Sequence, residues 1–189
     1  MTTSTHLNVK ALEKSPATAW WISASLIVGF ALLTAVAAKI AVPIPGSPVP
    51  VTLQTLVVLL AGMVLGSKRG ALSQITLIGM GLVGLPVFST PLPGTLVLMG
   101  PTGGYILGFA FAAFASGLLF ERMALKSVWA KFIALFATSF FILVPGVIWL
   151  SVFTGGNFST AIMAGLVPFL WGDVVKCAAV ALAGSALRR

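Results

Sequence analysis

Asp173 and Lys176 stand three residues apart in an apolar run from Ala161 to Leu187 that is long enough to cross a bilayer. An ionised side chain at bilayer depth costs at least ~2.5–3.5 kcal/mol on insertion scales. On a helix, residues i and i+3 lie about 60° apart, so both charges share a face, with Phe169 one turn before them and Val180 one turn after. Such a face either neutralises itself as an internal ion pair or offers an acceptor and a donor to a polar ligand. Buried pairs seldom add net stability over apolar residues, because desolvation offsets the attraction, and this favours the ligand. Counted by helical rise, Asp173 is about 18 Å from Ala161 and about 20 Å from Leu187, close to mid-membrane. Pro168 removes a backbone donor and should kink the helix, freeing a carbonyl and opening a pocket down to the charges.

Other polar groups in apolar surroundings add to this. Thr52, Gln54 and Thr55 open an apolar run. Thr52 suits a helix N-cap, and Gln54 needs a partner from backbone or ligand. Gly100-Pro101-Thr102-Gly103-Gly104-Tyr105 leads into another run. Its two glycines suit a helix start with exposed N–H groups, a potential anion or carbonyl site. Tyr105, the only tyrosine, belongs at the outer interface, either as a membrane-belt aromatic or as a pocket wall. Nothing catalytic is present: HExxH, GxSxG, paired carboxylates and a cysteine–histidine pair are all missing. The single histidine, His6, lies in the polar N-terminus, and the single cysteine, Cys177, reads as a small buried hydrophobe. We therefore expect no enzyme, no metal site and no resident cofactor.

The elements that must position these groups are membrane helices. Of 189 residues, 59% are apolar and 7% charged, against about 45–50% and about 25% in soluble domains. So few charges do not cover a water-facing surface. Six apolar runs, at 20–42, 51–66, 70–88, 103–120, 128–151 and 161–187, approach the roughly 20 residues that span a bilayer core. The expectation is an all-α, six-helix membrane bundle over residues 20–189, preceded by a polar cytoplasmic tail over 1–19. The start of the second run, Val49 to Gln54, should lie at the membrane surface or dip in as irregular chain.

The net charge of +8 reflects basic residues dispersed at the ends of apolar runs, which argues for topology rather than nucleic acid binding. Lys10, Lys14, Lys68, Arg69, Arg122, Lys126, Lys131, Arg188 and Arg189 all fall on one side, and only Lys39 on the other. Positive-inside bias then makes both termini cytoplasmic. The outward loops are proline-rich and apolar: Val42 to Pro50 holds four prolines, and Leu85 to Tyr105 carries no charge. Proline and glycine hold such segments in definite shapes, which suits lids over a cavity or re-entrant plugs. In the first run Ala24, Ala31, Ala35 and Ala38 form a small-residue stripe that admits close approach of another helix, in this chain or in another protein.

Four ordered motifs, Val49-Pro50-Val51-Thr52-Leu53-Gln54-Thr55, Gly84-Leu85-Pro86-Val87-Phe88, Gly100 to Tyr105, and Pro168-Phe169 with Gly172-Asp173 and Lys176, together resemble the BioY family. These are the biotin-specific substrate-binding (S) subunits of energy-coupling-factor (ECF) transporters. The resemblance implies a multi-pass protein of a prokaryotic-type cell (inner) membrane that captures biotin from outside. It also implies partners: a membrane coupling (T) protein and ATP-binding subunits. On the family pattern Asp173 and Lys176 contact biotin, and Ala31 and Ala35 contact the coupling protein. Thr52, Gln54, Gly103, Gly104, Tyr105 and Phe169 complete the expected site. Some relatives carry an arginine before the glycine motif to meet the biotin carboxylate. Residues 89–102 have no basic residue here, which turns attention to backbone N–H groups near Gly103 and Gly104. The alternatives are an S subunit for another small vitamin, or a structural or assembly subunit without a ligand.

Overall fold

In the computed structural model, residues 16–123, 125 and 127–186 are described. The expected tail up to residue 15, with His6, Lys10, Glu13 and Lys14, lies outside them, as do Lys126, Arg188 and Arg189. The architecture is all-helical apart from one two-residue ladder. In chain order the elements are α1 (Pro16–Lys39), β1 (Ala41–Val42), β2 (Val51–Thr52), α2 (Gln54–Leu65) and α3 (Ser67–Leu82). There follow α4 (Gly94–Met99), α5 (Gly103–Arg122), α6 (Val128–Phe153), α7 (Phe158–Gly165) and α8 (Val167–Ala186).

Four stretches among the described residues are long and apolar enough to cross a membrane: Trp20–Lys39, Gly103–Arg122, Val128–Phe153 and Phe158–Ser185. The second and third apolar runs give shorter helices, α2 with 12 residues and α3 with 16. The outward faces are apolar, with Phe111, Phe114, Ile133, Phe141, Ile148 and Val175 exposed, as a bundle solvated by hydrocarbon requires. This is a multi-pass membrane protein.

The second run is cut short because Val51–Thr52 leaves the helix to pair antiparallel with Ala41–Val42. The proline-rich segment from 43 to 50 is thus closed at its base. Of the stretch Val49 to Gln54, expected at the membrane surface or as irregular chain, Val51 and Thr52 form a strand and Gln54 begins the helix. The third run ends at Leu82, and Gly94–Met99 forms a short helix inside the second proline-rich segment. The sixth run is divided at Leu166. Pro168 has no N–H to continue the ladder, so Phe169 N–H turns back to the Leu166 carbonyl at 3.0 Å, and the helix restarts as α8.

Two basic residues expected in a connector, Lys68 and Arg69, lie instead in the first turn of α3. Only Gly66 separates α2 from α3, and its φ of 85° belongs to the left-handed region that favours glycine. Beyond it, the Glu121 carboxylate at the end of α5 accepts from Ser67 N–H (2.7 Å) and Ser67 Oγ (2.8 Å). That satisfies one of the orphan donors of the α3 N-terminus and puts negative charge at the positive end of its dipole. Lys131, counted among the basic residues joining the fourth and fifth apolar runs, is buried in α6 at 1% exposure. Its ammonium donates to the Gly184 carbonyl (3.2 Å) and to Ser185 Oγ (2.7 Å), serving the last turn of α8.

The two ends of the bundle are therefore distinct. One carries the Ser67–Glu121 junction with Lys68, Arg69 and Arg122. At the other, the end of α1 meets the segment after α3, where Lys39 Nζ donates to the Phe88 carbonyl at 2.6 Å. The proline-rich segments belong to this second end.

Candidate ligand-binding site

A small cleft of about 40 Å³ opens at the Lys39 end. Each wall comes from a different element. Val49, Pro50 and Thr52 come from the first proline-rich segment and β2, Gln54 and Thr55 from the start of α2, and Phe88 and Ser89 from the segment after α3. Tyr105, Ile106 and Phe109 of α5, Ile142 and Leu143 of α6, and Phe169 of α8 close the rest. Of the residues expected at the site, Thr52, Gln54, Tyr105 and Phe169 are thus brought together.

The aromatic floor depends on the division of the sixth run. Because Phe169 N–H bonds to Leu166, the Gly165 carbonyl loses its usual i+4 partner, and the Tyr105 hydroxyl donates to it at 2.8 Å. The missing Pro168 N–H concerns the carbonyl four residues back, at Ala164; the carbonyl claimed by the side chain from α5 is its neighbour Gly165, left by the turned-back Phe169 N–H. Tyr105 accordingly sits in the interior at 5% exposure, not at the membrane interface. Its ring stacks on Phe169 with centroids 5.6 Å apart and planes 18° apart. A side chain at Gly146 of α6 would occupy the space of that ring, which is why glycine is needed there.

Asp173 lies one turn beyond Phe169, 1% exposed, and Lys176 Nζ donates to its Oδ1 at 3.1 Å. The second oxygen, Oδ2, is buried and has no hydrogen-bond partner. Buried Ser139 of α6 donates its hydroxyl to the Phe136 carbonyl at 2.9 Å. A Cβ on Gly172 would be 3.4 Å from Val51 Cγ1 and 3.6 Å from Lys176 Nζ, so the ammonium lies beside the strand that continues into the cleft wall. Across that wall, Thr52 Oγ1 donates to Gln54 Oε1 (3.2 Å) and accepts Gln54 N–H (3.3 Å). Thr52 precedes the cap position, Leu53, yet serves the first helical N–H. Gln54 Nε2 is left buried and unpartnered. Unmade hydrogen bonds in the interior cost about 1–3 kcal/mol each. Gln54 lines the cleft while Asp173 and Lys176 do not; the open acceptor on Asp173 and the open donor on Gln54 are the buried polar groups that call for an explanation here.

Gly103 and Gly104 serve packing. Gly103 N–H already donates to the Gly100 carbonyl at 3.1 Å. Side chains at the two positions would run into the Leu98 carbonyl and into Trp149 with the Pro145 carbonyl, respectively. Thr102 and Tyr105, on either side, reach the cleft instead.

The small-residue stripe of α1 is also turned inward. Ala31 is fully buried in the core and Ala35 is half-buried against it, so Ala31 meets other helices of this chain and offers no free surface to a second protein. The residues α1 exposes are Val28, Leu32, Leu33 and Val36. Sequence reading did not assign Phe88 or Ser89 to the site, since neither an apolar ring nor a lone serine in an uncharged segment is a distinctive signal.

The chain matches the model of the BioY family over residues 9–189. It is 38% identical to the biotin transporter BioY of Thermotoga maritima, covering 85% of this chain and 92% of that protein. It is 37% identical to the probable biotin transporter BioY of Pyrococcus horikoshii, covering 87% and 94%. Its fold is similar to the 2.1 Å crystal structure of the S-component for biotin from an ECF-type ABC transporter. The TM-score is 0.81 and the identity 25%, over 89% of this chain and 92% of that one.

Proposed function

The chain belongs to the BioY family, and on that footing we propose that it captures biotin as the substrate-binding subunit of an ECF transporter. The observation that carries the reading is the buried Asp173–Lys176 pair with one carboxylate oxygen left open. Biotin's ureido ring has two N–H donors and one carbonyl acceptor. Asp173 Oδ2 takes a ureido N–H, and Lys176 or Gln54 Nε2 donates to the ureido oxygen. The thioether ring and aliphatic tail lie against Tyr105, Phe109, Ile142, Leu143 and Phe169 and gain about 25 cal/mol per Å² of apolar surface removed from water.

The work of this chain is binding, orientation and exclusion of water; it is a transport subunit and no enzyme. Lys176 Nζ already stands 3.1 Å from Asp173 Oδ1 before the ligand arrives, so the pair needs no rearrangement to meet it. The segment from Pro43 to Pro50, whose Val49 and Pro50 line the cleft, closes over the ligand from outside. The charge asymmetry supports termini on the cytoplasmic side, and membership of the family supports a place in the prokaryotic inner membrane. Energy comes from a membrane coupling protein and ATP-binding subunits, with no cofactor resident on this chain.

The test is uptake. Cells lacking biotin synthesis and biotin transport should grow on nanomolar biotin when they express this chain with a coupling module. Competition by a hundredfold excess of thiamine or riboflavin should leave uptake unchanged. Uptake of another vitamin in place of biotin, or no biotin uptake from a properly inserted complex, overturns the assignment.

A further inference from the structure

Lys39 ends α1 and is tied to both segments that frame the mouth of the cleft. Its ammonium donates to the Phe88 carbonyl at 2.6 Å, and Phe88 and Ser89 line the cleft. On the other wall, Leu53 N–H donates to the Ile40 carbonyl at 3.2 Å, and Ala41 pairs with Thr52 in the ladder. An ammonium has three N–H donors, and the Phe88 carbonyl uses one. The acids among the described residues are engaged elsewhere: Glu121 with Ser67 at the opposite end, and Asp173 with Lys176. Two residues beyond Phe88, Thr90 Oγ1 is buried without a partner. The C-terminal end of α1 would by itself repel an anion through its dipole, and Lys39 reverses the sign of the field there.

We propose that Lys39 is the specificity residue for the anionic end of the ligand. Held by the Phe88 carbonyl, its ammonium receives a carboxylate at the cleft mouth, with the Ser89 hydroxyl as a further donor. This rests on the reading of the cleft as a biotin site. It gives the valerate carboxylate a cationic partner that the arginine-free segment 89–102 does not supply. The ligand is then read at two ends, by Asp173 and Lys176 in the interior and by Lys39 at the mouth.

The experiment compares biotin with biotinamide, which keeps the rings and tail but has no charge, on the purified full chain in detergent. Native protein should prefer biotin by about tenfold or more, as expected for a charge-assisted hydrogen bond. Lys39→Gln should weaken biotin by about 10–100-fold and leave biotinamide within about twofold, while Lys39→Arg restores most of the preference. Equal loss for both ligands would mean that Lys39 only anchors the Phe88 segment, and an unchanged preference would mean that it does not meet the carboxylate. Either result overturns the proposal while biotin binding by native protein stands. Native protein that binds neither compound refutes the biotin reading itself, and this proposal with it.

Discussion

The Tyr105 hydroxyl donates to the Gly165 carbonyl at 2.8 Å, across 60 residues of chain. That bond joins the start of α5 to the point where the last membrane stretch breaks, and so couples the break to the stacked ring pair at the cleft. Tyr105→Phe keeps the stack on Phe169 but leaves a buried carbonyl without its donor. We expect a loss of about 1–3 kcal/mol in stability, with biotin affinity lowered by less than about tenfold. Unfolding of both proteins in the same detergent measures the first, and an unchanged midpoint would mean that the carbonyl finds another partner.

Glu121 tests whether the two ends of the bundle are independent. Its carboxylate serves Ser67 at the start of α3, a full helix length from the cleft. Glu121→Ala should cost about 0.5–2 kcal/mol, as loss of a helix cap does, without altering biotin affinity. A matched loss of affinity would show instead that the α3 junction shapes the cleft.

The last apolar stretch shows what was legible in the sequence and what was not. Asp173 and Lys176 stand out because hydrocarbon penalises charge whatever the fold, and Pro168 announces a break because the missing N–H is local chemistry. That the Gly165 carbonyl, left by Phe169 N–H, goes to Tyr105, 60 residues away, is something no local pattern carries. Lys131 illustrates the opposite failure. Charge counting put it in the connector on the basic side, yet it stands in α6 and its long side chain reaches inward to the carbonyl end of α8. The inward turn of Ala31 has a similar origin: spacing marks a small-residue face but not its neighbour. The short α2 and α3 were hidden by the apolar residues that continue past both helices into the proline-rich segments.

The segment from Pro43 to Pro50 should behave as a gate. Gly46 and Ser47 lie at its tip, where a positive-φ glycine and the Ser47 N–H to Ile44 carbonyl bond make a turn. Cysteines placed at either position, in a Cys177→Ser background, should react with an impermeant thiol reagent applied outside, and bound biotin should slow the reaction several-fold. Reaction from the cytoplasmic side alone would reverse the topology, and biotin-independent reaction would discard the gate.

The central claim is that the buried Asp173–Lys176 pair reads the polar ring of biotin. Removing one member leaves the other charge buried and unpaired, worth about 3–5 kcal/mol, or at least about a hundredfold in affinity. The direct measurement is equilibrium dialysis of labelled biotin against purified native protein, Asp173→Asn and Lys176→Ala, each shown to be inserted and monodisperse. The account predicts one biotin retained per native chain and affinity at least about a hundredfold weaker in both variants. Near-native affinity in either folded variant would contradict it.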